Sequence, residues 1–203
     1  MDLLSLTKLA GMVGIAYLLG AVPFGLILVK LLKGMDLREI GSGNIGATNA
    51  RRAGGWPLGL TTLCLDVLKG ALPVYFSGAM AAPSTAPLAM GLTALGACCG
   101  HLFPVYLKFK TGGKGVATAA GCFAVISPIA LLIALAVFLL LAALSNHVSV
   151  GSMAAAVSLP IAVLLVEKAW LLAGCAGIIA LLIIIRHKDN IQRLRAGKEP
   201  TIR

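Results

Sequence analysis

The chain has 203 residues and a mean hydropathy of +0.98, with 59% of residues apolar and 12% charged. Soluble domains carry roughly 25% charged residues, so a water-soluble domain and a disordered chain are both excluded and the bilayer is the expected solvent. Seventeen Lys and Arg against seven Asp and Glu give a formal charge of +10; on so apolar a chain the excess is a topology signal rather than a nucleic-acid footprint.

A membrane span needs about 20 apolar residues. The first apolar run, 9 to 32, is interrupted only by Lys30. It is too long for a signal-peptide core and lacks an A-x-A site, so it is expected to be the first membrane helix. Further candidate spans cover 56 to 80, 88 to 107, 115 to 144, 148 to 166 and 169 to 185. Small residues for close helix packing include Gly55-x-x-x-Gly59 and Gly96-x-x-x-Gly100.

Between these runs the cations fall unevenly: four in 33 to 55, none in 81 to 87, three in 108 to 114, none in 145 to 147 and six from Arg186 onward. The positive-inside rule puts the first, third and last of these segments in the cytoplasm. Six single crossings would leave the tail outside, so an odd number is required. As one helix, 115 to 144 would be about 45 Å long against about 30 Å of hydrocarbon. Ser127-Pro128 sits near its middle, and proline disfavours helix in the residue before it while removing a backbone donor. The expectation is a turn there, with two shorter helices at 115 to 126 and 129 to 144.

The predicted fold is an all-α integral membrane protein, a seven-helix transmembrane bundle forming a single polytopic domain over 1–203. Its amino terminus lies outside and its carboxyl terminus in the cytoplasm. The segments 33–55, 108–118, 145–152 and 186–203 carry the motifs on the cytoplasmic side. A five-span version, with 115 to 144 as one tilted helix and the last two candidates not both crossing, is the alternative.

Three of these segments are rich in Gly, amide, hydroxyl and cation. In Gly41-Ser42-Gly43-Asn44-Ile45-Gly46-Ala47-Thr48-Asn49-Ala50-Arg51-Arg52, three glycines let the backbone turn. Ser42, Asn44, Thr48 and Asn49 add neutral donors, and two arginines offer planar forks for phosphate. In Lys108-Phe109-Lys110-Thr111-Gly112-Gly113-Lys114-Gly115-Val116-Ala117-Thr118, glycines at 112, 113 and 115 are expected to free backbone N–H groups at a helix amino terminus. Lys114 adds a full charge there. This is not a Walker loop, because Gly115 follows Gly-Lys where a Ser or Thr would hold magnesium, and ATP binding is disfavoured. In the tail, His187 and Asn190 are three apart and share a face if the last helix continues past the interface.

The plain alternatives are a capped turn, an interfacial loop and a basic helix on anionic lipid. Within the membrane, Asp66 and Lys69 can neutralise each other on one helix. His101 and His147 are expected to be structural and interfacial, respectively. No nucleophile elbow, carboxylate pair, metal-ligand cluster or His-x4-Asp pattern is present, and the five cysteines show neither disulfide nor zinc spacing. No metal and no cofactor are expected.

Ser42-Gly43-Asn44-Ile45-Gly46-Ala47-Thr48-Asn49 with Arg52, Leu65-Asp66 with Lys69-Gly70, Gly100-His101 with Phe103-Pro104-Val105, Gly112 to Thr118, Ser149 with Ser152, and Arg186-His187 with Asn190-Ile191 and Arg193-Leu194 closely resemble the PlsY family. That family is the bacterial membrane acylphosphate:glycerol-3-phosphate acyltransferase. The resemblance runs in order from the first helix to Glu199. It implies an enzyme of the bacterial plasma membrane, with a cytoplasm-facing site, that makes lysophosphatidic acid from acyl phosphate and glycerol 3-phosphate in phospholipid biosynthesis.

The family's catalytic residues carry over to Ser42, Arg52, Lys114 and His187, and its substrate contacts to Asn44, Thr48, Gly112, Gly113, Ser152 and Asn190. Asp66, Lys69 and Glu199 would be structural polar residues. The implied partners are the two substrates and membrane lipid, with no nucleic acid and no obligate protein partner. An acyl phosphate is already an activated anhydride, so no acyl-enzyme is needed; either a substrate phosphate or His187 takes the hydroxyl proton. The alternative from another class is a membrane carrier for a phosphorylated metabolite.

Overall fold

The computed structural model describes residues 3–202, and among the described residues it is helical with no strand. The chain divides into two compact units, Met1–Cys122 and Phe123–Arg203. The first holds α1 (Leu3–Ala21), α2 (Phe24–Lys33), α3 (Ala47–Met80), α4 (Ala86–Leu102) and the start of α5 (Val116–Ile126). The second holds the end of α5, then α6 (Pro128–Ser145), α7 (Val148–Glu167), α8 (Trp170–Arg186) and α9 (Lys188–Arg195).

Five helical segments are long and apolar enough to cross a membrane: Ser5–Lys33, Ala47–Met80, Ala86–Leu107, Pro128–Ser145 and Val148–Glu167. The pair α8 and α9, bent by 52°, makes a sixth if taken together. The expected break at Ser127-Pro128 is present, with Ser127 capping α6 and Pro128 in its first turn. That is a position where the missing N–H costs nothing. However, α5 has only 11 residues, about 16 Å, and is too short to cross alone.

Three helix boundaries differ from the expectation. The run 9 to 32 is two helices, because Pro23 ends α1 at Ala21 and starts α2 at Phe24. The span expected from residue 56 begins at Ala47, capped by Gly46, and bends at Gly54 and Gly55. Gly55 has φ +79°, which explains a glycine there as a kink and not as a packing face. The last helix does not run straight on, since His187 both ends α8 and starts α9.

In the first unit, small residues bring helices into backbone contact. A Cβ on Gly96 would strike the Val13 carbonyl and one on Gly100 the Tyr17 carbonyl, while Gly20 meets Ala97 in return. The α1–α4 contact is therefore the close packing that Gly96-x-x-x-Gly100 suggested. In the same way Gly70 of α3 lies against the Thr118 carbonyl of α5, and Gly121 against that of Val67. This sets the amino terminus of α5 level with Lys69, partway along α3, so the glycine loop before α5 is recessed along the helix bundle. Leu26, Val29, Leu37, Ile45, Ala50 and Leu58 form an apolar cluster that fastens the connection between α2 and α3.

In the second unit α6, α7 and α8 run antiparallel with short turns at Asn146 and Lys168, both left-handed. Ser127 donates to Glu167 at 2.6 Å across 40 residues of sequence, a pairing no local pattern announces. An apolar groove lined by Pro160, Ile161, Leu164, Trp170, Ala173 and Gly174 lies beside the Lys168 turn. It is at the far end of α7 from Ser149 and Ser152, and its lining is that of a lipid-facing surface.

Candidate active site

In the first unit the connection 34–46 turns back on itself with Gly34, Gly41 and Gly43 all at positive φ. Asn49, which is 1% exposed, organises the turn. Its amide nitrogen donates to the carbonyls of Leu37 (3.0 Å) and Ile40 (2.9 Å), and its oxygen accepts from the Ser42 N–H at 3.2 Å. The expectation that Asn49 offers a donor to a ligand is therefore corrected, because both ends of its amide serve the protein's own backbone. Asn44 is partly committed as well, its side-chain oxygen accepting from the Gly46 N–H at 2.9 Å. Ser42 and Thr48 remain exposed, Thr48 in the first turn of α3, where the helix dipole favours an anion.

The arginines nearby have different partners. Arg38 donates to Asp36 with both side chain and backbone, and these hydrogen bonds hold the Asp36 carboxyl down to about 2. Arg51 stacks over Trp56 at 4.6 Å. Arg52 is exposed and has no ion pair among the described residues. Its Cδ lies 3.4 Å from where a Gly41 Cβ would stand, so glycine at 41 lets the arginine stem lie against the Ser42 turn. The Arg52 stem and the turn that carries Ser42 are thus neighbours.

The glycine loop is seated on the end of α4. A Cβ on Gly112 would overlap the Leu102 carbonyl and one on Gly113 the His101 ring. The Gly113 N–H donates to the His101 carbonyl at 3.0 Å. Of the three glycine N–H groups expected to face an anion, the one at 113 is therefore used internally, and the glycines are needed first for close approach. Gly115, at φ +84°, turns the chain into α5 and leaves Lys114 half-buried at that helix's amino terminus. Beneath the loop Lys69 pairs with Asp66 at 2.7 Å, so the two neutralise each other on one helix, and Asp66 lies 3.7 Å from His101 Nδ1.

In the second unit His187 and Asn190 are buried where α8 bends into α9. His187 Nδ1 is 2.8 Å from the Ile183 carbonyl. A carbonyl only accepts, so Nδ1 carries a hydrogen and the lone pair of the neutral ring is on Nε2. The Asn190 amide donates to Glu199 at 2.5 Å, and Arg193 Nε donates to the same carboxylate at 2.7 Å. Burial pushes the Glu199 carboxyl up, but the hydrogen bonds from Asn190 and Arg193 outweigh it and hold the group below its ordinary value. Glu199 thus fastens the tail that follows α9. His147, expected only at the interface, lies 3.2 Å from the Pro200 carbonyl, and Ile202 donates to Asn146 at 2.9 Å, extending the same attachment. Ser152, in the second turn of α7, donates back to the Val148 carbonyl at 2.9 Å. Among the described residues no cluster of three His, Cys, Asp or Glu could hold a metal ion.

Comparison with known proteins places this arrangement in a family. The family model described as "Glycerol-3-phosphate acyltransferase" matches residues 10–197. A glycerol-3-phosphate acyltransferase of Syntrophotalea carbinolica is 49% identical over 184 residues, covering 91% of this chain and 92% of the relative. One of Geobacter sulfurreducens is 43% identical over 185 residues, covering 91% and 93%. The crystal structure of PlsY, described as an integral membrane glycerol 3-phosphate acyltransferase in its glycerol 3-phosphate form, superposes with a TM-score of 0.90. It shares 37% identity, with 97% of this chain and 96% of that chain covered. The lysophosphatidic acid form of PlsY superposes with a TM-score of 0.87 at 36% identity, covering 96% and 95%. With the matches running nearly end to end, the chain belongs to the glycerol-3-phosphate acyltransferase family, the PlsY type of integral membrane acyltransferase.

Proposed function

We propose that this protein transfers a fatty acyl group from acyl phosphate to the hydroxyl of glycerol 3-phosphate, giving lysophosphatidic acid and inorganic phosphate. The carrying observation is the likeness, along 97% of the chain, to a structure described in a glycerol 3-phosphate form. The Ser42–Arg52 turn and the glycine loop with Lys114 support it, since both offer cations and small donors to phosphate.

Ser42, Arg52, Lys114 and His187 are assigned as the catalytic groups, and Asn44, Thr48, Gly112, Gly113, Ser152 and Asn190 as substrate contacts. The acceptor oxygen attacks the acyl carbonyl, the bond from that carbon to the phosphate oxygen breaks, and phosphate leaves with the electron pair. The proton passes to a substrate phosphate; the Nε2 lone pair of His187 is the second route. The protein's contribution is to hold two phosphate-bearing molecules together and to offset the charge that develops on the carbonyl oxygen. Neither step needs a bound cofactor.

The chain is further assigned to the bacterial inner membrane as a single polytopic domain with its reacting groups toward the cytoplasm. An odd number of crossings, seven with the amino terminus outside and the carboxyl terminus inside, fits the cation distribution; the short α5 would make the seventh together with the loop that precedes it, since it does not cross alone. Binding tests the assignment. Purified protein should bind glycerol 3-phosphate and not glycerol, and Arg52→Ala should weaken that binding by roughly 10- to 100-fold, the scale of a lost charge-assisted contact. Equal binding of both ligands would contradict it.

A further inference from the structure

Charged groups in the hydrocarbon region are costly and rarely kept without a use, so the place of Asp66 and Lys69 matters. Their side chains are each 3% exposed. Lys69 Nζ donates at 2.9 Å to the carbonyl of Val22, where the chain leaves α1. Asp66 Oδ1, which holds Lys69, also lies 3.7 Å from His101 Nδ1. His101 is itself 4% exposed. Its carbonyl accepts the Gly113 N–H, and its ring fills the space where a Gly113 side chain would be. Lys114 is the next residue.

These contacts form one chain: the α1–α2 break, Lys69, Asp66, the His101 ring, and the glycine loop that presents Lys114. The ion pair fixes Asp66, whose carboxylate stands 3.7 Å from His101 Nδ1, an electrostatic contact beyond hydrogen-bond distance. The imidazole then supplies a floor of set height for Gly113. A helix-packing role would explain the pair alone, but it leaves the ring beneath the loop and the glycine fitted to it unexplained.

We propose that Asp66, Lys69 and His101 are positioning residues for the acyl transfer. They act through Gly113 to hold the Gly112–Lys114 loop where it receives a substrate phosphate, and none of the three touches substrate. The assignment rests on the loop being a phosphate site, as argued above.

The test uses the full chain, purified, with steady-state kinetics in each phosphate-bearing substrate and a melting temperature for every variant. His101→Ala should raise KM for one of the two substrates by about 10- to 100-fold, the scale of a reacting geometry misplaced by about 1 Å, with less change in kcat. His101→Asn, which keeps an N–H near the Nδ1 position, should recover part of that loss. Gly113→Ala should raise the same KM by collision with the ring. Adding His101→Ala to it should make matters no worse, because the new methyl group then has room.

A His101→Ala protein with unchanged KM and kcat per folded molecule would overturn the inference. If Lys114→Ala still lost activity in that case, the loop's phosphate role would survive. If Lys114→Ala also left both constants unchanged, the phosphate reading itself would fail. Should His101→Ala not fold, His101→Asn decides: a raised KM at a melting temperature near that of the unaltered chain supports the inference, and an unchanged KM overturns it.

Discussion

Asn49 shows how the turn proposed to bind phosphate is held by a side chain committed to the backbone. Its amide satisfies two carbonyls and one N–H of the 37–42 segment, and leaving a buried polar group unpaired costs about 1–3 kcal/mol. Asn49→Ala should therefore destabilise the protein by about 2 kcal/mol or more and loosen the Ser42 turn, seen as a lower melting temperature together with weaker glycerol 3-phosphate binding. The sequence reading grouped Asn49 with the ligand donors because residue type alone does not say whether an amide faces a ligand or its own backbone. The same ambiguity hid the seat of Gly113, whose N–H goes to His101. Arg52 and Ser42 stand out in the sequence because their motif is specific, and their proposed role rests on it; the structure adds that Arg38 and Arg51 have other partners.

Glu199 carries a pH prediction at the same scale. Its carboxyl is held below its ordinary value of 4.5 in the folded protein. A depressed folded pKa contributes stability that is complete above the unfolded value and is lost as pH falls through the folded one. The tail from Gly197 to Ile202 should thus stay attached at neutral pH and detach only in acid below about 4.5. Hydrogen exchange of that segment against pH, with Glu199→Gln as reference, measures this. The variant should expose the tail at neutral pH as well; equal protection in both proteins at pH 7 would contradict the role.

At the scale of elements, glycine and proline do two different jobs. Gly96 and Gly100 bring α4 onto the backbone of α1, so Gly100→Leu should prevent that packing and sharply reduce the yield of folded protein, because overfilling a tight contact against backbone leaves no side chain to move. A wild-type yield and melting temperature for Gly100→Leu would refute the contact. Gly55 was read as the same kind of packing glycine but serves the kink in α3, a difference that local spacing does not encode. The break at Ser127-Pro128 was legible because one helix there would be too long for the bilayer. The equivalent break at Val22-Pro23 was not, because an unbroken apolar run of acceptable length outweighed a single proline. The start of α3 at Ala47 was missed for the opposite reason: its first turns are polar, and polarity was taken to mean loop.

For the whole molecule, the composition alone pointed to the solvent, and the asymmetry of Lys and Arg is what the proposed sidedness of the segments rests on. Crossing number follows less directly, since the helix expected at 115 to 126 is present as α5 but, with 11 residues, is too short to cross alone. A reporter fused after Arg203 should be active only on the cytoplasmic side, and activity on the outer side would contradict the seven-crossing arrangement. The central claim is the reaction, and the most direct measurement gives purified protein glycerol 3-phosphate with either acyl phosphate or acyl-CoA, beside Lys114→Ala. Lysophosphatidic acid from acyl phosphate alone, reduced by about 10²-fold or more in the variant as for other lost charge-stabilising groups, is the predicted result. Glycerol 3-phosphate binding with no product from either donor would contradict the account and favour a carrier.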